Sequence, residues 1–186
     1  VEKRYAPRPD EYDLVPQTKE TIVYDLEQDL KLLAMAYGSA LSHSRDPRTK
    51  NGAVLVTRAG NILKEGNRFP RGVDENLDRW GKDYKKHYVE HAERNVLFLA
   101  ARTGHCTQDA TMYVPWFACS DCARAIIECG VKRVVGHAAP FHVKRADWAH
   151  SINHADIMLQ EAGVNFVRLE YKFEIDILFD GQIERA

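Results

Sequence analysis

Two short segments carry the residue types that could do chemistry: His91-Ala92-Glu93 and Cys119-Ser120-Asp121-Cys122. One imidazole and two thiolates make a donor set suited to tetrahedral zinc, and three protein ligands leave a fourth position open to water. Zinc would lower the pKa of that water from about 15.7 to about 7. Glu93 is not needed as a ligand, so its carboxylate is available to carry protons between the water and a substrate. Each half alone is weak. Cys-x-x-Cys also occurs as a redox pair or a structural zinc knuckle, and a lone glutamate on a helix is ordinarily a solvated one. Together they predict a catalytic zinc site with His91, Cys119 and Cys122 as ligands and Glu93 as proton carrier. A closed structural site would need a fourth ligand, for which Cys106, Cys129 and His87 are available. Glu93 argues against that, since a structural site has no use for a carboxylate there.

The elements that must hold these residues follow from the apolar pattern. Leu26, Leu30, Leu33, Tyr37 and Leu41 recur at steps of three and four, which predicts a helix from about Asp25 to Ser44. Asp46-Pro47 ends it. Gly52 to Thr57 and Ile62 to Glu65 read as a hairpin around Arg58-Ala-Gly-Asn61. A long polar loop, 66–88, then delivers His91 to a second helix running to Thr103. Thr111 to Pro115 reads as a strand, and Cys119 and Cys122 open a third helix stopped by Gly130. Val131 to Gly136 is a strand, Asp147 to Ala162 a helix, Val164 to Leu169 a strand, and Tyr171 to Phe179 a further extended segment. This order predicts an α/β protein: a mixed five-stranded sheet with helices on both faces, in three α/β/α layers. Both metal-binding segments fall at helix N-termini, where partial positive charge and unpaired N–H groups favour thiolate over thiol.

Composition sets the outer bounds. The chain has 186 residues, enough for one domain with a substantial core. Residues 1–24, punctuated by Pro7, Pro9 and Pro16, read as an arm, and 25–186 as the single domain. The net charge of −1 lacks the basic excess of a general nucleic-acid binder. Four cysteines in a chain of this length do not suggest a disulfide framework, and two of them sit in the metal motif. The N-terminal residues are charged and proline-containing, unlike a signal peptide, and no apolar run has membrane-spanning length. A cytoplasmic protein is the expectation.

His91-Ala-Glu-Arg-Asn95, with Val96-Leu-Phe-Leu-Ala-Ala-Arg-Thr-Gly104 behind it, resembles the deoxycytidylate (dCMP) deaminase family, which carries His-Ala-Glu-x-Asn-Ala here. Ser44-Arg-Asp-Pro47 followed by Asn51-Gly-Ala-Val54 is similar to that family's first helix-to-strand junction. So is Asn67-Arg-Phe-Pro-Arg-Gly72, then Trp80 and a lysine-rich approach to His91. The likeness runs from about residue 28 to about residue 137. It implies the cytidine deaminase-like fold, a Zn2+ cofactor, and attack of zinc-activated hydroxide on C4 of cytosine with loss of ammonia. By position it implies zinc held by His91, Cys119 and Cys122, protons moved by Glu93, and Asn67 and Asn95 against the sugar or nucleotide. It also implies a homo-oligomer acting on a small-molecule nucleotide.

Two departures stand out. Ala118 occupies the place of the proline that usually precedes the first cysteine. Glu65-Gly-Asn-Arg68 stands where the family often has Gly-Tyr-Asn-Gly, a sequence that helps bind a triphosphate regulator, so such regulation is not implied here. Gly66-Asn-Arg68 also resembles the corresponding stretch of tRNA adenosine deaminases. The leading expectation is therefore hydrolysis of a free pyrimidine nucleotide, dCMP to dUMP. The alternatives are deamination of another base, nucleoside or nucleotide, including tRNA adenosine, and a non-catalytic nucleotide-binding zinc protein. For the substrate, Arg68 and Arg71 are the first candidates for a phosphate. Trp116 and Phe117 offer aromatic faces to a base, and Ala92 lies between the zinc histidine and Glu93.

Overall fold

A computed structural model of the chain describes residues 25–139 and 146–186. The expected arm, 1–24, lies outside the described residues. The five strands of the main sheet stand in the order β2-β1-β3-β4-β5. β1 (Gly52–Val56) pairs antiparallel with β2 (Ile62–Gly66) and with β3 (Thr111–Val114). β4 (Arg133–His137) and β5 (Asn165–Leu169) extend the sheet in parallel.

The period-two pattern of the strands divides the core. Ala53, Leu55, Met112, Val114 and Val134 face α3 (Ala92–Thr103), α4 (Ser120–Glu128) and α5 (Ala146–Glu161). Their neighbours Val54, Tyr113 and Val135 face α1 (Leu26–His43) on the opposite side. This is the expected three-layer α/β/α arrangement.

Three local expectations are corrected. The buried face of α1 is turned away from the one drawn through Leu26 and Leu41, both of which are exposed; it runs instead through Asp29, Leu32, Leu33, Ala36, Tyr37, Ser39 and Ala40. Two causes act. Asp29 is drawn inward by Arg133, and small residues let the helix lie close to the sheet. Gly52 and Gly66 are paired in register, and a Cβ on either would come within 3.0 Å of the α1 backbone or its C-cap residue. The loop 66–88 contains a 3-10 turn (Leu77–Trp80) and α2 (Lys82–Tyr88), seated by Trp80 stacked on Phe69. The extended segment expected over 171–179 is the first strand of a separate hairpin, β6 (Asp176–Phe179) and β7 (Gln182–Arg185). It packs Ile177 and Phe179 onto Tyr37 and Trp116, and Leu178 O accepts from Lys50 N, which holds the loop before β1.

Candidate active site

The amino ends of α3 and α4 meet beneath the sheet. His91 is the N-cap of α3 and Cys119 the N-cap of α4, and neither side chain caps its own helix. The imidazole is thus able to face the sulfurs. His91 Nδ1 lies 3.4 Å from Cys119 Sγ and 3.4 Å from Cys122 Sγ. The three ligand atoms all lie within 4.8 Å of one another. Ligands sharing one tetrahedral zinc would be spaced by about 3.5 Å, from bond lengths of about 2.0–2.3 Å. Both distance and donor chemistry therefore fit zinc through Nδ1 and two sulfurs.

Of the three ligands, the electrostatics favour the deprotonated, metal-binding form at Cys119. A hydrogen bond from Cys122 pulls the Cys119 thiol down to about 3, against burial. The same bond, with burial, pushes Cys122 well above its ordinary range. His91 is raised: burial opposes its charge, but the bond to Cys119 and the charge of Glu93 outweigh burial.

Glu93 sits in the first turn of α3 and is 2% exposed. Burial raises its pKa, with His91 pulling the other way. A buried carboxyl group with its pKa raised holds its proton more tightly than an exposed one. Asn51 Nδ2 faces Glu93 Oε2 at 3.4 Å. The Trp148 ring of α5 stands 5.5 Å from the His91 ring, centroid to centroid. Arg94 pairs with Glu90 and reaches Asp121 Oδ2 at 3.6 Å, tying α3 to the start of α4. Asn51, Trp148 and Arg94 escaped the sequence reading. Trp148 reads as one more residue of an apolar stripe, and Asn51 meets Glu93 only because β1 runs beside α3.

Among the described residues no other His, Cys, Asp or Glu joins the three ligands within metal-binding distance. Cys106 is exposed, Cys129 packs against the core, and His87 is exposed. A closed four-ligand site is not formed by them. His150 and His154 adjoin each other on the exposed side of α5, away from any third metal-binding side chain among the described residues.

The residues expected at the substrate are placed unevenly. Ala92 is buried beside His91. Asn67 is buried with its amide saturated: Oδ1 accepts from Ser44 Oγ at 2.6 Å and Asn51 N at 2.8 Å, while Nδ2 donates to Asp46 Oδ2 and Thr49 O. Arg68 is held by both carboxylate oxygens of Glu65 and by Phe69 O. Asn95 faces away from the ligands, its amide spent on Gly66 O and Glu90 O. Trp116 donates to Lys50 O and packs edge-on to Tyr37 beneath the C-terminal hairpin. Phe117 lies under Arg168 and against Phe166. Arg71 is exposed. The structure thus brings together the ligands, Glu93 and Ala92. It commits Asn67, Asn95 and Trp116 to partners elsewhere in the chain and Arg68 to its near neighbour Glu65.

Residues 26–138 match the model of the cytidine and deoxycytidylate deaminase zinc-binding region. Deoxycytidylate deaminase of Mus musculus is 31% identical over 163 residues, covering 83% of this chain and 87% of that protein. A probable deoxycytidylate deaminase of Caenorhabditis elegans is 38% identical over 117 residues, 59% of this chain, and the match spans 57% of that relative's length. A dCMP deaminase from the cyanophage S-TIM5, solved with dCMP and dUMP, shares the fold with a TM-score of 0.60 at 24% identity, covering 79% of this chain and 100% of the other. Fold and site together define a zinc-dependent deaminase, a hydrolase. The chain belongs to the cytidine and deoxycytidylate deaminase family. Among the described residues no helix is long and apolar enough to cross a membrane.

Proposed function

We propose that this protein hydrolyses dCMP to dUMP and ammonia, with residues 25–186 acting as one domain. The observation that carries the reading is a buried glutamate two residues from His91, beside three side chains placed to hold one metal ion. The deoxycytidylate deaminases among its relatives support the substrate. Zinc held by His91, Cys119 and Cys122 supplies an acidified water and Lewis-acid charge. Glu93 accepts a proton as the water oxygen bonds to C4 and delivers it to N3. It then passes the second proton to the amine, so that the C4–N bond breaks and ammonia leaves. Ala92 and the first turn of α3 wall the base, with Trp148 beside His91. Arg71, exposed where Arg68 is held by Glu65, is the candidate for the 5′-phosphate. We place the reaction on a free nucleotide in the cytosol, carried out by a homo-oligomer.

The test is ammonia release from dCMP, CMP, deoxycytidine, dCTP, AMP, dAMP and tRNA. The expected result is turnover of dCMP well above the rest. Glu93→Gln should keep its zinc and lose about 10²- to 10⁴-fold in kcat. Undiminished turnover by Glu93→Gln overturns the mechanism, and preference for another member of the panel overturns the substrate.

A further inference from the structure

We infer that Asn51 is the positioning residue that holds the Glu93 carboxylate in its working orientation, a role that rests on the deaminase reading and deepens it. Asn51 immediately precedes β1 and is buried. Its Oδ1 accepts from Gly52 N at 2.9 Å. That bond settles which way the amide points, because an N–H placed there would meet another N–H. Nδ2 is therefore the atom facing Glu93 Oε2.

The amide is held from behind. Asn51 N donates to Asn67 Oδ1 at 2.8 Å, and Asn67 N donates to Asn51 O at 3.1 Å. Asn67 is fixed in turn by Asp46 Oδ2, Thr49 O and Ser44 Oγ, and Asp46 also pairs with Lys85 of α2. An unbroken polar chain thus runs from α2 through Asp46, Asn67 and Asn51 to Glu93. Asn67, saturated within the protein, acts through Asn51.

The chemistry asks for such a donor. Glu93 must take a proton at one point and release it at two others, so one carboxylate oxygen has to stay put while the other exchanges. An amide N–H donates without titrating near neutrality, so it orients Oε2 without competing for the transferred proton. A charged donor would hold the carboxylate more strongly but would also depress its basicity.

Two variants separate the possible roles. Asn51→Asp keeps the size and the acceptor for Gly52 N but sets a carboxylate oxygen against Glu93. Asn51→Leu removes both polar atoms. Both should retain zinc and leave KM for dCMP within about threefold, as expected when only transition-state interactions are lost. The kcat should fall about 10- to 100-fold in Asn51→Leu, the worth of a hydrogen bond to a charged group, and further in Asn51→Asp. A raised KM with intact kcat would make Asn51 a substrate contact and overturn the inference, as would unchanged kcat. A second measurement needs neither turnover nor a stable variant at position 51. The side-chain NH₂ of Asn51 in the zinc-loaded protein should exchange slowly with solvent, and its resonance should move in Glu93→Ala. A resonance indifferent to Glu93→Ala overturns the inference whatever nucleotide is turned over. Failure of wild type on dCMP counts against the proposed substrate and leaves the Asn51–Glu93 bond to be judged by the resonance.

Discussion

Asp29 gives the most quantitative handle on how α1 is held. It lies in the first turn of α1, with Oδ1 2.7 Å and Oδ2 2.6 Å from the two terminal nitrogens of Arg133. Tyr113 Oη donates to the same Oδ1 at 2.9 Å. Burial, reinforced by Asp29, pushes the Tyr113 hydroxyl up, so it stays protonated and keeps donating. The two charged side chains are 4% and 7% exposed. Asp29→Ala takes away the carboxylate and leaves the guanidinium in a low-dielectric setting. Removing one side of a buried pair costs about 3–5 kcal/mol. The displaced Tyr113 hydrogen bond adds about 1 kcal/mol. The sum, about 4–6 kcal/mol, is a large part of a typical total of about 5–15 kcal/mol. For a chain of this size it corresponds to a melting point lower by about 8–24 °C. Urea denaturation of the zinc-loaded protein, followed by far-UV circular dichroism, reads it directly. The double variant Asp29→Leu/Arg133→Met should recover to within about 2 kcal/mol of wild type, because apolar replacement removes the desolvation cost together with the attraction. Asp29→Ala within about 1 kcal/mol of wild type would refute the reasoning. So would a double variant as unstable as the sum of its singles.

Two further outcomes follow from α1 and its neighbours. Gly52→Ala should cost about 3 kcal/mol or more, since its Cβ would sit within 3.0 Å of Ala36 O and Ala40 N. Gly38→Ala, on the same helix with nothing within 4 Å, should gain about 0.5–1 kcal/mol; equal effects in denaturation would refute the close approach. Burial holds His137 below its usual 6.5, against the bond to Tyr171 O, while Nδ1 faces the protonated Tyr37 hydroxyl at 2.5 Å. As pH falls below 6.5 the unfolded chain takes up a proton that the folded one refuses, so stability should drop down to the depressed folded value. His137→Gln should flatten that acid limb by up to about 1.4 kcal/mol per pH unit, and identical slopes in the two proteins would refute it.

What was legible in the sequence depended on how local the physics was. Cys119 and Cys122 share one helix turn, and His91 and Glu93 another, so ligand type and spacing nearly determine their geometry. The strands were legible for the same reason: Gly52 to Val56 is a short apolar run bounded by turn residues, which marks a strand covered on both faces without reference to a distant partner. The substrate side was harder because a polar residue's spare bonding capacity is set by groups far along the chain. Asn67 reads as a ligand-binding asparagine until Ser44, Asp46 and Asn51 consume its amide. Arg68, expected at a phosphate, pairs with Glu65 only three residues away, and Asn95, expected against the sugar or nucleotide, donates to Gly66 O of β2 and to Glu90 O. The face of α1 was misjudged similarly, since an aspartate at position 29 scores as solvent-facing unless Arg133 is known to be opposite.

The bonds of Asn67 also explain why the site stays in register. The loop from Ser44 to Asn51 is pinned on one side by Asn67 and on the other by the C-terminal hairpin through Lys50 and Leu178. It continues directly into Gly52, where the sheet lies hardest against α1. Motion of α1 relative to β1 would therefore be felt at Asn51 and, through its amide, at Glu93. The zinc ligands ride on α3 and α4, whose starts Arg94 and Asp121 join. Glu93 shares the start of α3 with His91, and the Asn51–Glu93 bond is where that helix meets the frame set by α1 and β1.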